Sequence, residues 1–207
     1  MIRRRKPVKL HIGAGTQRIE GWWNLDIRPL PGVDVVADVT QGLGFRRADA
    51  VYAEHFLEHL LPHQALAFLR EVRSILSPGA RLRLSTPNLE WVWSSHYVID
   101  AEDERKRDFA LMINRAFHGW EHKFLWNIQL LAEALRVSGF GGLIWHRYGE
   151  SESPYFRGIE RHETYDDRDE MPHVIIVEGG LIEPDPVGYE RLERSFRREF
   201  LEHLEGY

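Results

Sequence analysis

Residues 8–15 read VKLHIGAG. Val8, Leu10 and Ile12 alternate with Lys9 and His11, the period of a half-buried strand, and the alternation ends at Gly13-Ala14-Gly15. Glycine takes positive φ and has no Cβ, so such a loop can bring backbone close to a ligand. Gly-x-Gly is equally an ordinary tight turn, and only the rest of the chain can decide between the two.

Outward from this point, strand and helix signals alternate. Residues 23–27 (WNLDI), 33–37 (VDVVA) and 49–53 (DAVYA) read as three further short strands. Pro62 suits the first turn of a helix, and Leu66, Leu69, Val72, Ile75 and Leu76 recur at helical spacing up to Pro78-Gly79. Residues 80–85 (ARLRLS) form a fifth strand, ended by Thr86-Pro87-Asn88. A helix containing Phe109, Met112, Ile113 and Phe117 is expected to lie over the sheet. Another spans 126–137, with Leu130, Leu131, Ala134 and Leu135 buried and Gly139 as its stop. Residues 143–145 and 174–177 are two late strands. A last helix over 189–204 places Leu192, Phe196, Phe200 and Leu204 four apart.

This is the pattern of an α/β fold: a Rossmann-like, doubly wound, mostly parallel sheet with helices on both faces. One domain over 1–207 is expected, with a helical insertion at about 88–120 and a polar loop at about 149–172. That loop carries Tyr155, Arg157, Arg161, His162 and Tyr165, and reads as a lid, a subunit contact or a solvated connection.

Composition narrows the class. The chain has 207 residues, a formal net charge of -5 and 43% hydrophobic residues, which suits one sizeable domain and gives no reason to expect nucleic acid. No apolar run is long enough to span a bilayer. Arg3-Arg4-Arg5-Lys6 reads as a solvated tail, with no apolar region after it to make a signal peptide. There are no cysteines, which excludes disulfides, thiolate metal sites and a Cys nucleophile and fits a cytoplasmic setting.

In open α/β sheets the ligand lies at the carboxyl ends of the strands. The residues there are Gly13 to Gly15, Asp26-Ile27, Asp38-Val39, Glu54-His55 and Thr86 to Glu90. A carboxylate at Asp26 can accept from two vicinal ribose hydroxyls, or serve a turn. Asp38 can accept from an adenine amino group with Val39 against the ring, or cap a helix. Taken together, these strand ends build one nucleoside slot.

The run AEHFLEHL (53–60) also contains His55-x-x-Glu58-His59, the inverted zinc-peptidase signature, and His63 continues the series. His55 follows strand residues almost directly, whereas a peptidase would carry the motif inside a helix. No metal is therefore expected, and a zinc hydrolase is the remote alternative.

These blocks resemble the class I S-adenosylmethionine-dependent methyltransferases, of a bacterial, type 11-like kind. KLHIGAG is similar to that family's first motif, and GWWNLDIRP to a Gly-Trp, Asn, Asp segment of one subgroup. DVVADVTQGLGF, AVYAEHFLEHL, LREVRSILSPGARLRLSTPN and HKFLWNIQLLAEALRVSGF are similar to later blocks. The resemblance covers roughly 8–147 and implies a seven-stranded sheet with one antiparallel strand.

It further implies that S-adenosyl-L-methionine lies on Gly13, Ala14 and Gly15 with its methionine part, on Asp26 and Ile27 with its ribose, and on Asp38-Val39 with its adenine. Glu54 and His55 would lie beside the sulfonium. His11 stands where the family often has an acid. A third glycine is missing, with Gln17 in its place, and the stretch from Gly15 to Gly21 is too short for a full helix.

The expected activity is methyl transfer to a small molecule, such as a sugar or polysaccharide-precursor hydroxyl. His55 or His122 would be the general base, ahead of His96 and His118. Trp91, Trp93, Tyr97 and Trp120 are either an acceptor pocket or core. A non-catalytic member of the fold is the other reading. Self-association through the C-terminal helix is the one protein contact foreseen.

Overall fold

The computed structural model describes residues 5–98, 100–162 and 171–204. Seven strands make one sheet: β1 Lys9–Ile12, β2 Trp23–Asp26, β3 Val35–Val36, β4 Ala48–Glu54, β5 Leu76–Pro87, β6 Phe140–Trp145 and β7 Val174–Leu181. Their order is β3-β2-β1-β4-β5-β7-β6. Neighbours from β3 to β5 run parallel, and β7 runs antiparallel to both β5 and β6. The strand order reverses between β1 and β4, so the ligand crevice of such a sheet opens there.

The helices are α1 Pro62–Ile75, α2 Leu89–His96, α3 Asp103–His118, α4 Ile128–Val137 and α5 Pro186–Phe196. Pro62 does open α1. Asn127 caps α4 through its side chain, and Gly139, at φ 92°, follows its last turn. Three boundaries differ from expectation. Pro78-Gly79 does not end α1, which stops at Ile75. The pair sits instead in an irregular entry to β5, where Ala48 pairs with Leu76 and Ala50 with Arg81. α3 buries only Phe109 and packs on α2 rather than over the sheet. After α5 the backbone widens into a π-turn, Arg197–Leu201, so Leu201 is buried beyond Phe196 while Leu204 is 50% exposed. A spacing of four drifts about 40° per step on a 3.6-residue helix, so four such residues cannot share one face.

The two faces of the sheet are covered differently. Leu10, Ile12, Val51, Ala53, Leu82, Leu84 and Val177 join α1, α4 and α5 in one apolar core. Successive strand residues point to opposite faces. On the other face the register lines up Asn24, His11, Tyr52, Arg83 and Glu178 across β2, β1, β4, β5 and β7, all of them buried. The expected helices thus cover one face, and loop 147–162 covers the other. Phe156 and Ile159 from that loop pack with Trp22, Ala50 and Tyr52.

Loop 147–162 is held by charge. Arg83 Nε donates to Glu160 at 2.5 Å, and its Nη1 donates to Glu178 at 2.6 Å. Glu160 also accepts from Gly149 N at 3.0 Å, and Glu178 from Ser151 Oγ at 2.6 Å. All three charged side chains are at most 2% exposed. Removing one partner of such a buried set leaves the others uncompensated, at a cost of about 3–5 kcal/mol. Arg83→Ala is therefore expected to lower the thermal midpoint by roughly 6–20 °C for a domain of this size. Calorimetry checks this, and a variant melting with the parent would mean that the carboxylates find water instead.

Candidate functional site

The glycine loop between β1 and β2 carries no helix. Asn24, fully buried on β2, organises it. Its Nδ2 donates to Ile19 O and Trp22 O, both at 3.1 Å, and its Oδ1 accepts from Ile19 N at 2.8 Å. The same Oδ1 lies 3.0 Å from His11 Nδ1. Asp34 accepts from Asn24 N and Nδ2 at 3.0 and 2.9 Å and from Arg18 at 2.7 Å. Those bonds, Asn24's first, hold the Asp34 carboxyl at about 2. Sequence reasoning assigned Asn24 no role; an amide within the short strand of GWWNLD, just after a glycine, was the available signal.

The two loop glycines do different work. A Cβ on Gly13 would lie 2.6 Å from Phe56, so that residue makes room for the protein itself. A Cβ on Gly15, at φ 52°, would meet nothing within 4 Å. Gly15 N donates to Asp26 Oδ2 at 2.8 Å, and Arg28 N to Asp26 Oδ1 at 2.9 Å. Asp26 thus frames the open edge of the loop and holds the turn after β2. Ile27, 64% exposed, stands beside it. The Gly15 edge, beside the buried Asp26 carboxylate, leaves open space at this end of the sheet.

Other expected ligand residues are more committed to the protein. Ala14 is buried. His11 is 2% exposed, stacked on Tyr52 at 5.4 Å, and burial pushes its pKa down. Asp38 caps the 3-10 turn Val39–Gln41, accepting from Thr40 N at 2.9 Å and Thr40 Oγ1 at 2.6 Å, bonds that lower its pKa. Val39 lies in the apolar core.

At the end of β4, Glu54 accepts from Arg161 N at 2.8 Å, His162 N at 3.0 Å and His162 Nδ1 at 2.6 Å. Burial pushes the Glu54 carboxyl up, but these donors outweigh it and hold it at about 2. Loop 147–162 therefore reaches the crevice itself. Tyr165 lies outside the described residues, as do Arg3 and Arg4 of the basic run.

His55 comes next at φ 45°, a conformation that costs a non-glycine residue energy. Its Nδ1 lies 3.0 Å from Oε1 of Glu58, which is fully buried, and Thr86 Oγ1 donates to the other Glu58 oxygen at 3.0 Å. Burial lowers the His55 pKa, yet the Glu58 carboxylate more than offsets it and the net shift is upward. The motif residues 57–59 form a 3-10 turn, not a helix. The turn points His59 toward loop 119–124: His59 Nδ1 is 3.4 Å from Glu121 O, and the rings of His59 and His122 lie 5.2 Å apart. His122 Nδ1 is 2.6 Å from Ala116 O, and burial lowers its pKa.

His55, His59 and His122 share the wall of a cavity of about 800 Å³ between the strand ends and α2–α3, with Arg28, Arg115, Trp91, Trp120, His96, His162 and His173. Of the aromatic residues read as either an acceptor pocket or core, Trp91 and Trp120 line this cavity. Trp93 and Tyr97 do not; they stack on each other at 5.3 Å and are each about half exposed. His118 is exposed and outside the lining. Arg28, Arg115 and His173 escaped sequence reasoning because no local pattern links them to the cavity. A second cavity of about 320 Å³, beside Gly79 and Tyr155, opens at the opposite end of the sheet from the crevice.

No protein-family model matches the sequence, and no curated protein does. Solved structures match its fold. A SAM-dependent methyltransferase from Mesorhizobium loti aligns with a TM-score of 0.55 at 14% identity, over 84% of this chain and 91% of that one. One from Archaeoglobus fulgidus aligns at 0.54 and 16%, over 84% and 86%. The carbon methyltransferase CurJ aligns at 0.52 and 15%, over 88% of this chain, which spans only 50% of that one. The fold is that of the Rossmann-like methyltransferases. Among the described residues no helix is long and apolar enough to cross a membrane.

Glu54 offers a check on how loop 147–162 is held. A carboxyl held at about 2, against 4.5 ordinarily, contributes stability that is complete above pH 4.5 and lost as pH falls through about 2. Glu54→Gln is expected to flatten the stability–pH curve across that window. An unchanged acid limb in denaturant titrations would mean that the three donors do not bind it.

Proposed function

We propose that the chain is an S-adenosylmethionine-dependent methyltransferase acting on a small molecule. One observation carries the reading: the glycine loop framed by Asp26 opens at the switch point of a methyltransferase-like sheet, and His55 stands nearby on the wall of a roomy cavity. The bound cofactor supplies a methyl group activated on sulfur. Gly13, Ala14 and Gly15 shape the bed of its methionine part, Asp26 and Ile27 border its ribose, and Asp38-Val39 its adenine. Glu54, tied to His162, closes one side and keeps water out.

His55 is the proposed base. Its Nδ1 is turned to Glu58, which leaves Nε2 to take a proton from an acceptor hydroxyl in the cavity. Glu58 orients the ring and stabilises the imidazolium that forms. His122 is the second candidate base, on the same wall. Trp91 and Trp120 provide flat surfaces suited to the face of a sugar or another ring, which supports a sugar or polysaccharide-precursor acceptor. A cytoplasmic setting and self-association through the C-terminal helix, which exposes Val187 and Leu204, belong to the same proposal. One observation favours a non-catalytic binder instead: Asp26, Asp38 and Glu54 all have protein partners already.

Two measurements test this. S-adenosylhomocysteine at about one hundred times its dissociation constant should add ~2.7 kcal/mol of stability. That moves the midpoint by roughly 5–11 °C. No shift with folded protein at millimolar ligand would remove the cofactor and the activity together. For catalysis, His55→Ala is expected to cut kcat about 10²–10⁴-fold while S-adenosylhomocysteine binding persists. Because Glu58 raises the His55 pKa, parent kcat should climb with pH through an apparent value above 6.5. Cofactor binding without turnover on any acceptor would favour the binder, and turnover that His55→Ala leaves unchanged would remove His55 as the base.

A further inference from the structure

The histidines that the sequence offers for zinc are His55, His59 and His63. Those three do not form a donor set, but another triad does. One ligand atom each from Glu58, His59 and His122 lies within 4.8 Å of the other two. We propose that these three residues bind a divalent transition-metal ion, zinc foremost, at the edge of the large cavity. The site uses none of the proposed cofactor contacts, but it shares Glu58 and His122 with the proposed catalytic machinery, and metal binding is read independently of methyl transfer.

The donor chemistry suits the ion. Two imidazoles and one carboxylate form a common open zinc site, with further positions left for water or an oxygen ligand. Each ring has one nitrogen facing a backbone carbonyl. His122 Nδ1 faces Ala116 O at 2.6 Å and His59 Nδ1 faces Glu121 O at 3.4 Å, leaving the Nε2 of each ring as the free nitrogen. Each Glu58 oxygen already has one partner, Oε1 facing His55 Nδ1 and Oε2 accepting from Thr86 Oγ1, so an ion would take a remaining lone pair of a carboxylate that is held in place.

The chain holds this triad on two segments. Lys123 N and Phe124 N donate to Glu58 O at 2.7 and 3.1 Å, so loop 119–124 is fastened to turn 57–59 by its backbone. Donors around a tetrahedral zinc are roughly 3.4 Å apart. From separations of at most 4.8 Å the triad has to contract by up to roughly 1.4 Å to hold the ion. Because His59 and His122 line the cavity, the open positions of the ion face it. An oxygen bound there would be acidified within the same cavity as His55.

The test is a metal titration of the full chain after dialysis against chelator. One equivalent of Zn²⁺ should bind by calorimetry, and Co²⁺ should show the intense visible bands of a low-coordinate site. His122→Ala and His59→Ala should each weaken binding at least about a hundredfold, beyond what loss of an outer partner does. His63→Ala should leave it unchanged. X-ray absorption of the zinc-loaded parent should count two imidazoles, a measurement that needs no variant to fold. No stoichiometric binding by folded parent would overturn the site. So would binding that survives His122→Ala, depends on His63, or shows fewer than two imidazoles.

Discussion

The buried guanidinium of Arg83 is the constraint on which the rest of this structure depends. It sits on β5 in the middle of the sheet, on the face covered by loop 147–162, and a charge there must be paired. Its two carboxylates come from β7 and from loop 147–162. A strand pair and a loop nearly eighty residues downstream of Arg83 are thereby fixed together. Once Glu160 is in place, Arg161 and His162 continue directly onto Glu54 at the strand ends. The loop that covers the sheet is also a wall of the crevice, so stability and site geometry share one set of contacts.

The same sharing appears on the glycine-loop side. A Rossmann-like sheet ordinarily places a helix between its first two strands. Here ten residues, 13–22, make the connection. One buried amide, Asn24, satisfies the backbone groups a helix would have satisfied internally. Asp26 then fastens the loop's leading edge to β2. The opening at Gly15 is held by side chains of a strand rather than by a helix terminus. Any ligand charge there is met by few backbone N–H groups and by little helix dipole.

The His-x-x-Glu-His run shows how one motif is divided by tertiary structure. On a helix, its histidines would share a face. A 3-10 turn after β4 separates them: His55 is drawn to Glu58 inside the crevice, and His59 turns to a loop sixty residues on. Glu58 is the buried centre of the run, with partners on both sides.

Much of this was legible in the sequence. Alternation and glycine placement located the strand at VKLHIGAG, the order of strand ends, and the helices opened by Pro62 and capped by Asn127. These are local effects of backbone sterics and periodic burial, which a sequence states directly. The positions of Asp26, Glu54 and His55 at strand ends came from the same periodicity. What each one touches did not. Arg83 in RLRLS and Glu178 in IVEGG read as outward-facing residues of alternating strands, yet both are buried under a distant loop. The approach of His122 to His59, of Arg161 to Glu54, and of Arg115 to the cavity depends on chain reversals that no local pattern encodes. Strand and helix are decided by neighbours in sequence, whereas pairing of buried charge and convergence of histidines are decided by which segments the assembled sheet brings within reach.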